Sequence, residues 1–341
     1  MNPSCAAPVP VNLGIAYLER LWEKAMGTLR QAPLPELCRQ EHELDHVLLN
    51  CIGLDIVEPY KFLYGRRPSF AEFSAWIVQT LGAPPSAPIV SRANQIVADF
   101  MAGNFGTYPA AESIEQPALT PEELRFWDDN GYVVLRNAIS RADAEASAQV
   151  VWDFLGLDPA APDSWYQREQ TFWADLFHHP VLRQNRHSPR MRKAFAQLWG
   201  TENLITSVNR VSFNPPLREG CDHSGPSRLH WDTSLVPPLQ FEVVGILYLN
   251  DVADDQGAFR CIPGFHRNIE NWLTSLPEHI NPREVDLEAL GPVSIGGKAG
   301  DMVIWREELP HGSGRNYSQQ PRLAQYISMY PPDRRINPHW R

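Results

Sequence analysis

The chain reads as an α+β protein: a double-stranded β-helix (a jelly roll, cupin-like) core with flanking helices and an N-terminal helical extension. Three observations predict this class. Apolar side chains recur at helical spacing in the first third of the chain, short alternating runs follow in the remainder, and Gly, Pro and Asn turns separate those runs. Several short strands after a helical start fit two sheets closed into a jelly roll. The 31 prolines among 341 residues suit that loop-rich design better than a helical bundle.

Taken in order, residues 14–30 place Ile15, Leu18, Trp22, Ala25, Met26 and Leu29 on one helical face. A second helix is expected over Pro35–Asn50, and a third over Phe70–Leu81 after the Arg66-Arg67-Pro68-Ser69 start signal. Prolines break the pattern from Gly82 to Pro88, before another helical run from Ser91 to Met101. Residues 1–105 therefore form the helical extension, 106–118 a linker, and 119–341 the β domain.

That domain opens with a complete helix start: Thr120 as N-cap, Pro121 at the first helical position, Glu123 completing a capping box, and Leu119 set against Leu124. Asn130-Gly131 ends the helix, Tyr132–Leu135 makes a strand, and Ser140 caps a further helix to about Leu155. Residues 156–200 are polar, aromatic and irregular as far as a helix over Pro189–Trp199. His178, His179 and His187 within them read as surface residues, a substrate entrance being the alternative. From Ser207 the period becomes two, until Pro215-Pro216 stops it. Further strands are expected over Phe241–Leu249, Ala258–Ile262, Pro292–Ile295, Met302–Trp305 and Leu323–Tyr330. Phe241–Leu249 is apolar on both faces, which makes it a central strand.

A net charge of −10 argues against a nucleic-acid polyanion as the main partner. The five cysteines, Cys5, Cys38, Cys51, Cys221 and Cys261, are odd in number and lack Cys-x-x-Cys spacing, so they read as free thiols of a reducing compartment. No secretory leader and no long apolar span is visible, and the expectation is a cytoplasmic protein with no membrane partner.

Leu229-His230-Trp231-Asp232 carries the chemistry. A His and an Asp two residues apart on an extended segment direct both side chains to one side, within reach of one ion. A third ligand is available at His311, in the Pro310-His311-Gly312 that follows Gly300-Asp301-Met302-Val303-Ile304-Trp305. Two imidazoles and one carboxylate make the facial triad of non-heme iron(II) oxygenases, which leaves three adjacent metal positions for small molecules. A competing metal pattern lies in the second helix, where His42-Glu43-Leu44-Asp45-His46 matches the His-Glu-x-x-His of zinc peptidases. Its histidines fall opposite the apolar face made by Leu37, Leu44, Val47, Leu48 and Cys51, and they read as a water-facing helix side.

From about Leu119 to Pro332 the chain resembles the phytanoyl-CoA dioxygenase (PhyH) family of iron(II)/2-oxoglutarate-dependent oxygenases. The resemblance is carried by Leu229–Asp232, by Gly245–Arg267 with its Ile262-Pro263-Gly264-Phe265-His266, and by Gly300–Arg322. Relatives more often have Ser where Phe265 stands. The resemblance implies the same jelly-roll fold, Fe(II) on His230, Asp232 and His311, and 2-oxoglutarate as cosubstrate with O2. It further implies Arg322 as the cation for the far carboxylate of 2-oxoglutarate. A guanidinium suits that task because its planar fork donates two charge-assisted bonds. By the same resemblance Ser313 places a hydroxyl on the cosubstrate, or is a turn residue. Tyr248 lines its pocket, or packs in the core.

The implied function is a dioxygenase that hydroxylates an unactivated C–H of a small-molecule metabolite while 2-oxoglutarate is decarboxylated to succinate. The same triad also serves desaturation or oxidative cyclisation. Halogenases lack the ligating carboxylate that Asp232 supplies here. A non-catalytic, metal-binding cupin-like protein is a further reading. Arg228, Trp231 and Arg260 flank the ligands as candidate substrate contacts. The N-terminal extension is a candidate homodimer surface.

Overall fold

The computed structural model describes residues 12–27, 35–104, 106, 115–166, 172–219, 228–334 and 339, with the backbone alone for 35–40. The chain divides into two compact units, Met1–Thr107 with Pro332–Pro338, and Tyr108–Pro331 with the last residues.

The first unit is helical: α1 (Tyr17–Met26), α2 (Pro35–Ile52), α3 (Val57–Arg66), α4 (Phe70–Leu81) and α5 (Ala87–Ala102). Gly27 at φ 68° closes α1 earlier than the apolar pattern suggests, by taking the left-handed conformation that L side chains avoid. Ser69 and Glu72 form a reciprocal capping box at the start of α4. The sequence pattern missed α3. It begins where the Asp55 carboxylate accepts from the backbone N–H groups of Val57 and Glu58, while Pro59 and Gly65 interrupt its periodicity. In α5, Pro88 sits in the first turn, where a missing N–H costs nothing, so the helix starts before the expected Ser91.

Helix α2 corrects the view of a water-facing histidine side. Leu44, Val47 and Leu48 are buried, but so are Glu41 and Asp45. Their carboxylates are neutralised by Arg20 and Lys24 of α1, with Lys24 Nζ 2.6 Å from Asp45, and the Tyr60 hydroxyl donates to Asp45 at 2.7 Å. With that charged side enclosed as well, only His42 stays exposed among the α2 side chains that the structure describes. His46 is half-buried, and burial above all drives its pKa down to about 4. Among the described residues no group of three metal-capable side chains includes His42 or His46, so the peptidase pattern has no ligand set. Cys51 and Cys261 are free thiols; the side chains of Cys5, Cys38 and Cys221 lie outside the described residues.

The second unit mixes helices with antiparallel sheets. In chain order it runs α6 (Pro121–Asn130), β1 (Tyr132–Leu135), α7 (Arg141–Leu155), β2 (Trp173–Ala174), α8 (Pro180–Arg186), α9 (Pro189–Trp199), β3 (Ile205–Thr206) and β4 (Val211–Asn214). It continues with β5 (Val243–Tyr248), β6 (Phe259–Cys261), α10 (Ile269–Ser275), β7 (Val293–Ile295), β8 (Met302–Arg306), β9 (His311–Ser313), β10 (Arg322–Tyr326) and β11 (Met329–Tyr330). A six-stranded sheet has the order β1-β8-β5-β10-β4-β2, a three-stranded one β7-β6-β9, and β11 pairs with β3. Strand β5 lies inside the larger sheet, as its two apolar faces require. Helices α8 and α10 are short, and each stands in a stretch whose polar or aromatic residues hide a helical period.

The main core forms between the two larger sheets. Ile246, Tyr248, Val303, Trp305 and Ala324 of the six-stranded sheet pack with Phe259, Cys261 and Ile295 of the three-stranded one. Tyr248 spans the gap: its hydroxyl donates to the Ile295 carbonyl at 2.7 Å and accepts from the Phe259 N–H at 3.0 Å. The turn into β8 is equally specific. Gly300 has φ 90°, and a Cβ there would stand 2.6 Å from the Ile139 carbonyl oxygen. Beside it the buried Asp301 accepts from Asn137 N–H, Lys298 N–H and the Arg136 guanidinium. Gly300→Ala should therefore combine backbone strain with a steric clash and cost about 1–3 kcal/mol, measured as a lower urea midpoint.

Candidate metal centre

Backbone pairing sets the centre. His230 and His311 form an isolated antiparallel bridge in which each N–H donates to the other's carbonyl at 2.9 Å. In such a hydrogen-bonded pair the two side chains leave on the same face of the sheet. The rings accordingly stand 4.9 Å apart between centroids. Asp232, two residues beyond His230, brings its carboxylate 3.7 Å from His230 Nε2 and 3.4 Å from His311 Nε2. One ligand atom from each of the three lies within 4.8 Å of the others.

The tautomers follow from the partners. Nδ1 of His230 is 3.0 Å from the Arg228 carbonyl oxygen, and Nδ1 of His311 is 3.0 Å from that of Leu309. A carbonyl oxygen only accepts, so both Nδ1 atoms carry the proton and donate. In the neutral rings each Nε2 then presents a lone pair toward Asp232. Two imidazole nitrogens and a carboxylate, all acceptors, converge with no donor among them. This arrangement suits a divalent transition cation, and the backbone-oriented rings are typical of metal-bound histidine. Burial, followed by His311, pushes the pKa of His230 down, which favours the neutral ring that metal binding would require. Crowding by protein opposes ionisation of Asp232 most strongly, but His311, His230 and Arg283 together hold its carboxyl below the ordinary range.

The centre is closed on one side and open on the other. The side chain of His311 is 5% exposed, against 38% for His230 and 64% for Asp232. On the closed side lie Trp305 and Phe259, with ring centroids 5.1 and 6.1 Å from His311. Ser313 leaves β9 on the same face as His311, opposite Phe259. Its hydroxyl has no protein partner among the described residues.

Arg322 enters the same intersheet space from the larger sheet. On β10 it shares a face with Ala324, which opposes Tyr248 on one side and Ser212 on the other. Arg322 is fully buried; Nη2 donates to the Ser212 hydroxyl at 3.2 Å, and the guanidinium lies 5.5 Å over the Phe172 ring. Among the described residues Nε and Nη1 have no partner. Among the described residues no carboxylate pairs with it. A buried guanidinium left so costs on the order of several kcal/mol, which an anion able to take both free donors would recover. Ser212 escaped the sequence reading as a site residue. Its place beside Arg322 depends on the register of β4 against β10, and one serine on an alternating strand carries no mark of it.

The three flanking candidates part company. Trp231 alternates away from His230 and Asp232; it is 2% exposed, packs with Leu229, Ile262 and Leu273, and donates its indole N–H to the Glu308 carbonyl. It anchors the ligand segment rather than meeting a substrate. Arg260 opposes Gly312, so it leaves β6 on the face away from His311, and its guanidinium pairs with Glu288 at 2.7 Å. Arg228 and Arg260 both line an open cleft of about 830 Å³ that also takes in Arg315, Asp286 and Glu288. Arg228 meets the centre through its backbone carbonyl. Phe265 packs between Trp231 and Trp272, at 6.0 and 5.4 Å, so the residue at the usual Ser position is here part of the core.

Comparison with known proteins agrees in extent with this unit. The family model for phytanoyl-CoA dioxygenase (PhyH) matches residues 127–324, more than half of the chain. The chain is 24% identical over 257 residues to Ava biosynthesis cluster protein O of Aspergillus versicolor, covering 65% of this chain and 82% of that one. It is 23% identical over 249 residues to the ectoine dioxygenase of Bordetella bronchiseptica, covering 65% and 78%. Among solved structures it is similar to the non-heme alpha ketoglutarate dependent carbocyclase SnoK from nogalamycin biosynthesis, with a TM-score of 0.45, 20% identity, and 66% and 87% of the two chains covered.

Removing any one of His230, Asp232 or His311 by alanine should weaken Co(II) binding by more than the roughly 10- to 100-fold typical of changes outside the ligand set. Calorimetric titration of the purified variants measures it, and their far-UV circular dichroism should match the parent.

Proposed function

The chain belongs to the phytanoyl-CoA dioxygenase (PhyH) family of iron(II)/2-oxoglutarate-dependent oxygenases, and from that premise we propose that it hydroxylates an unactivated C–H bond of a small-molecule metabolite. One observation carries the assignment of its parts. Three mutually facing acceptors beside the smaller sheet and a fully buried guanidinium on the larger one, with no carboxylate partner among the described residues, enter the same intersheet space. A cation and a dicarboxylate together answer both demands.

Iron(II) would be held by His230 Nε2, His311 Nε2 and an Asp232 carboxylate oxygen. When bound with 2-oxoglutarate and O2 it supplies the oxidising power, at the cost of decarboxylating 2-oxoglutarate to succinate. The protein's own contribution is placement. Arg322 would take the far carboxylate of the cosubstrate through Nε and Nη1, with the Ser212 hydroxyl beside it. Ala324 keeps that end of the space free of bulk. Ser313, on the His311 face, would add a hydroxyl nearer the metal. Tyr248 forms the wall, its own hydroxyl already committed to the backbone. The substrate would approach from the side where Asp232 and His230 are exposed.

The strand order supports reading the second unit as a double-stranded β-helix, with the His230 segment added beside β9 as the fourth member of the smaller sheet. Retention of a carboxylate ligand at Asp232 favours hydroxylation over halogenation, because the position a halide needs is filled. No helix among the described residues is long and apolar enough to cross a membrane.

Incubation with Fe(II), 2-oxoglutarate and O2 should yield succinate, and His230→Ala or Asp232→Ala should abolish it. No succinate from the intact chain, with or without candidate substrates, would sink the assignment. Arg322→Met should raise the KM for 2-oxoglutarate at least 100-fold. Ser212→Ala should raise it about tenfold with kcat retained, the effect of losing one hydrogen bond to a charged group.

A further inference from the structure

Resting on the metal assignment above, we propose that Arg283 is a positioning residue that holds the Asp232 backbone so that its carboxylate can ligate the metal. Asp232 needs such support more than its partners do. His230 and His311 are fixed by their reciprocal bridge, and both rings by carbonyls two residues upstream. Asp232 belongs to no strand, the chain stays without regular structure as far as Glu242, and its side chain is mostly in solvent. Packing cannot orient it.

Arg283 lies in a single 3-10 turn, Pro282–Glu284, far along the chain between α10 and β7. Its Nη1 donates to the Trp231 carbonyl and its Nη2 to the Thr233 carbonyl, both at 2.6 Å. The chain bends at Asp232 and Thr233, and the carbonyls on either side of Asp232 both accept from the guanidinium. One planar fork can therefore grip both and fix the backbone of the residue between them. The neighbouring Trp231 ring is pinned into the core by its bond to Glu308, so the fork acts on a segment already anchored at one end.

The choice of partner matters chemically. A guanidinium paired with the Asp232 carboxylate itself would occupy acceptor positions that the cation requires. By bonding the flanking carbonyls instead, these two prongs leave the Asp232 oxygens alone. Removing the fork should therefore loosen one ligand and spare the two histidines.

The test is a double-mutant cycle on Co(II) affinity, measured by calorimetry on the full chain without cosubstrate. Arg283→Met should weaken binding about 10- to 100-fold, the usual effect of losing a partner that orients a ligand. Arg283→Lys, which keeps the charge but cannot bridge two carbonyls, should recover only part of the loss. In an Asp232→Ala background, where the histidines alone bind, Arg283→Met should change affinity less than twofold. Equal effects in both backgrounds would reduce Arg283 to a general structural role and overturn the proposal, as would unchanged affinity in Arg283→Met. If Arg283→Met does not fold, the cycle run with Arg283→Lys gives the same discrimination. Absence of Co(II) binding by the parent chain would instead remove the metal assignment itself, a result distinct from any of these.

Discussion

The centre depends on one pair of backbone hydrogen bonds, those exchanged between His230 and His311. Everything else about the ligand set follows from that pairing. It brings two distant segments into register, sends both imidazoles off the same face, and leaves Asp232 as the member of the candidate triad whose direction the sheet does not determine. A slip of one residue would turn one ring to the opposite face and dissolve the site. The resistance to such a slip comes from the flanks: Trp231 buried on one side of its segment, and β9 laid against β6 on the other.

Two opposed strategies for placing charge meet in the intersheet space. At the metal end, acceptors converge where a cation is wanted. At the far end, a guanidinium is enclosed by Phe172, Ser212 and Ala324 with no counter-ion among the described residues. Both arrangements are unfavourable in isolation, since like groups repel at one end and a charge is stripped of water at the other. The apolar packing around the guanidinium raises that cost, and a bound cation and anion would relieve both.

Much of this was readable from residues whose meaning is local. The Ser69/Glu72 and Thr120/Glu123 caps, the short strand at Tyr132, and the doubly apolar Val243–Tyr248 each declare themselves within a few positions. The His-x-Asp spacing likewise needs only an extended chain. What escaped depends on partners remote in sequence. Arg283 and Ser212 look like any surface arginine and strand serine until the tertiary contacts are known. Trp231 and Arg260 show a related effect: each sits next to a candidate ligand in sequence or register, while the alternation of strand faces sends its side chain the other way. His46 shows the limit of a helical wheel, which ranks faces by hydropathy and cannot foresee that Arg20 and Lys24 would let a charged face be buried.

Both candidate imidazoles donate to a carbonyl two positions earlier in the chain, Arg228 for one and Leu309 for the other. The protonation pattern that would let them hold a metal is thus written twice into short, self-contained stretches of chain. The surroundings could be rebuilt during evolution without retuning that pattern, which is one physical route by which a single scaffold could diversify its chemistry.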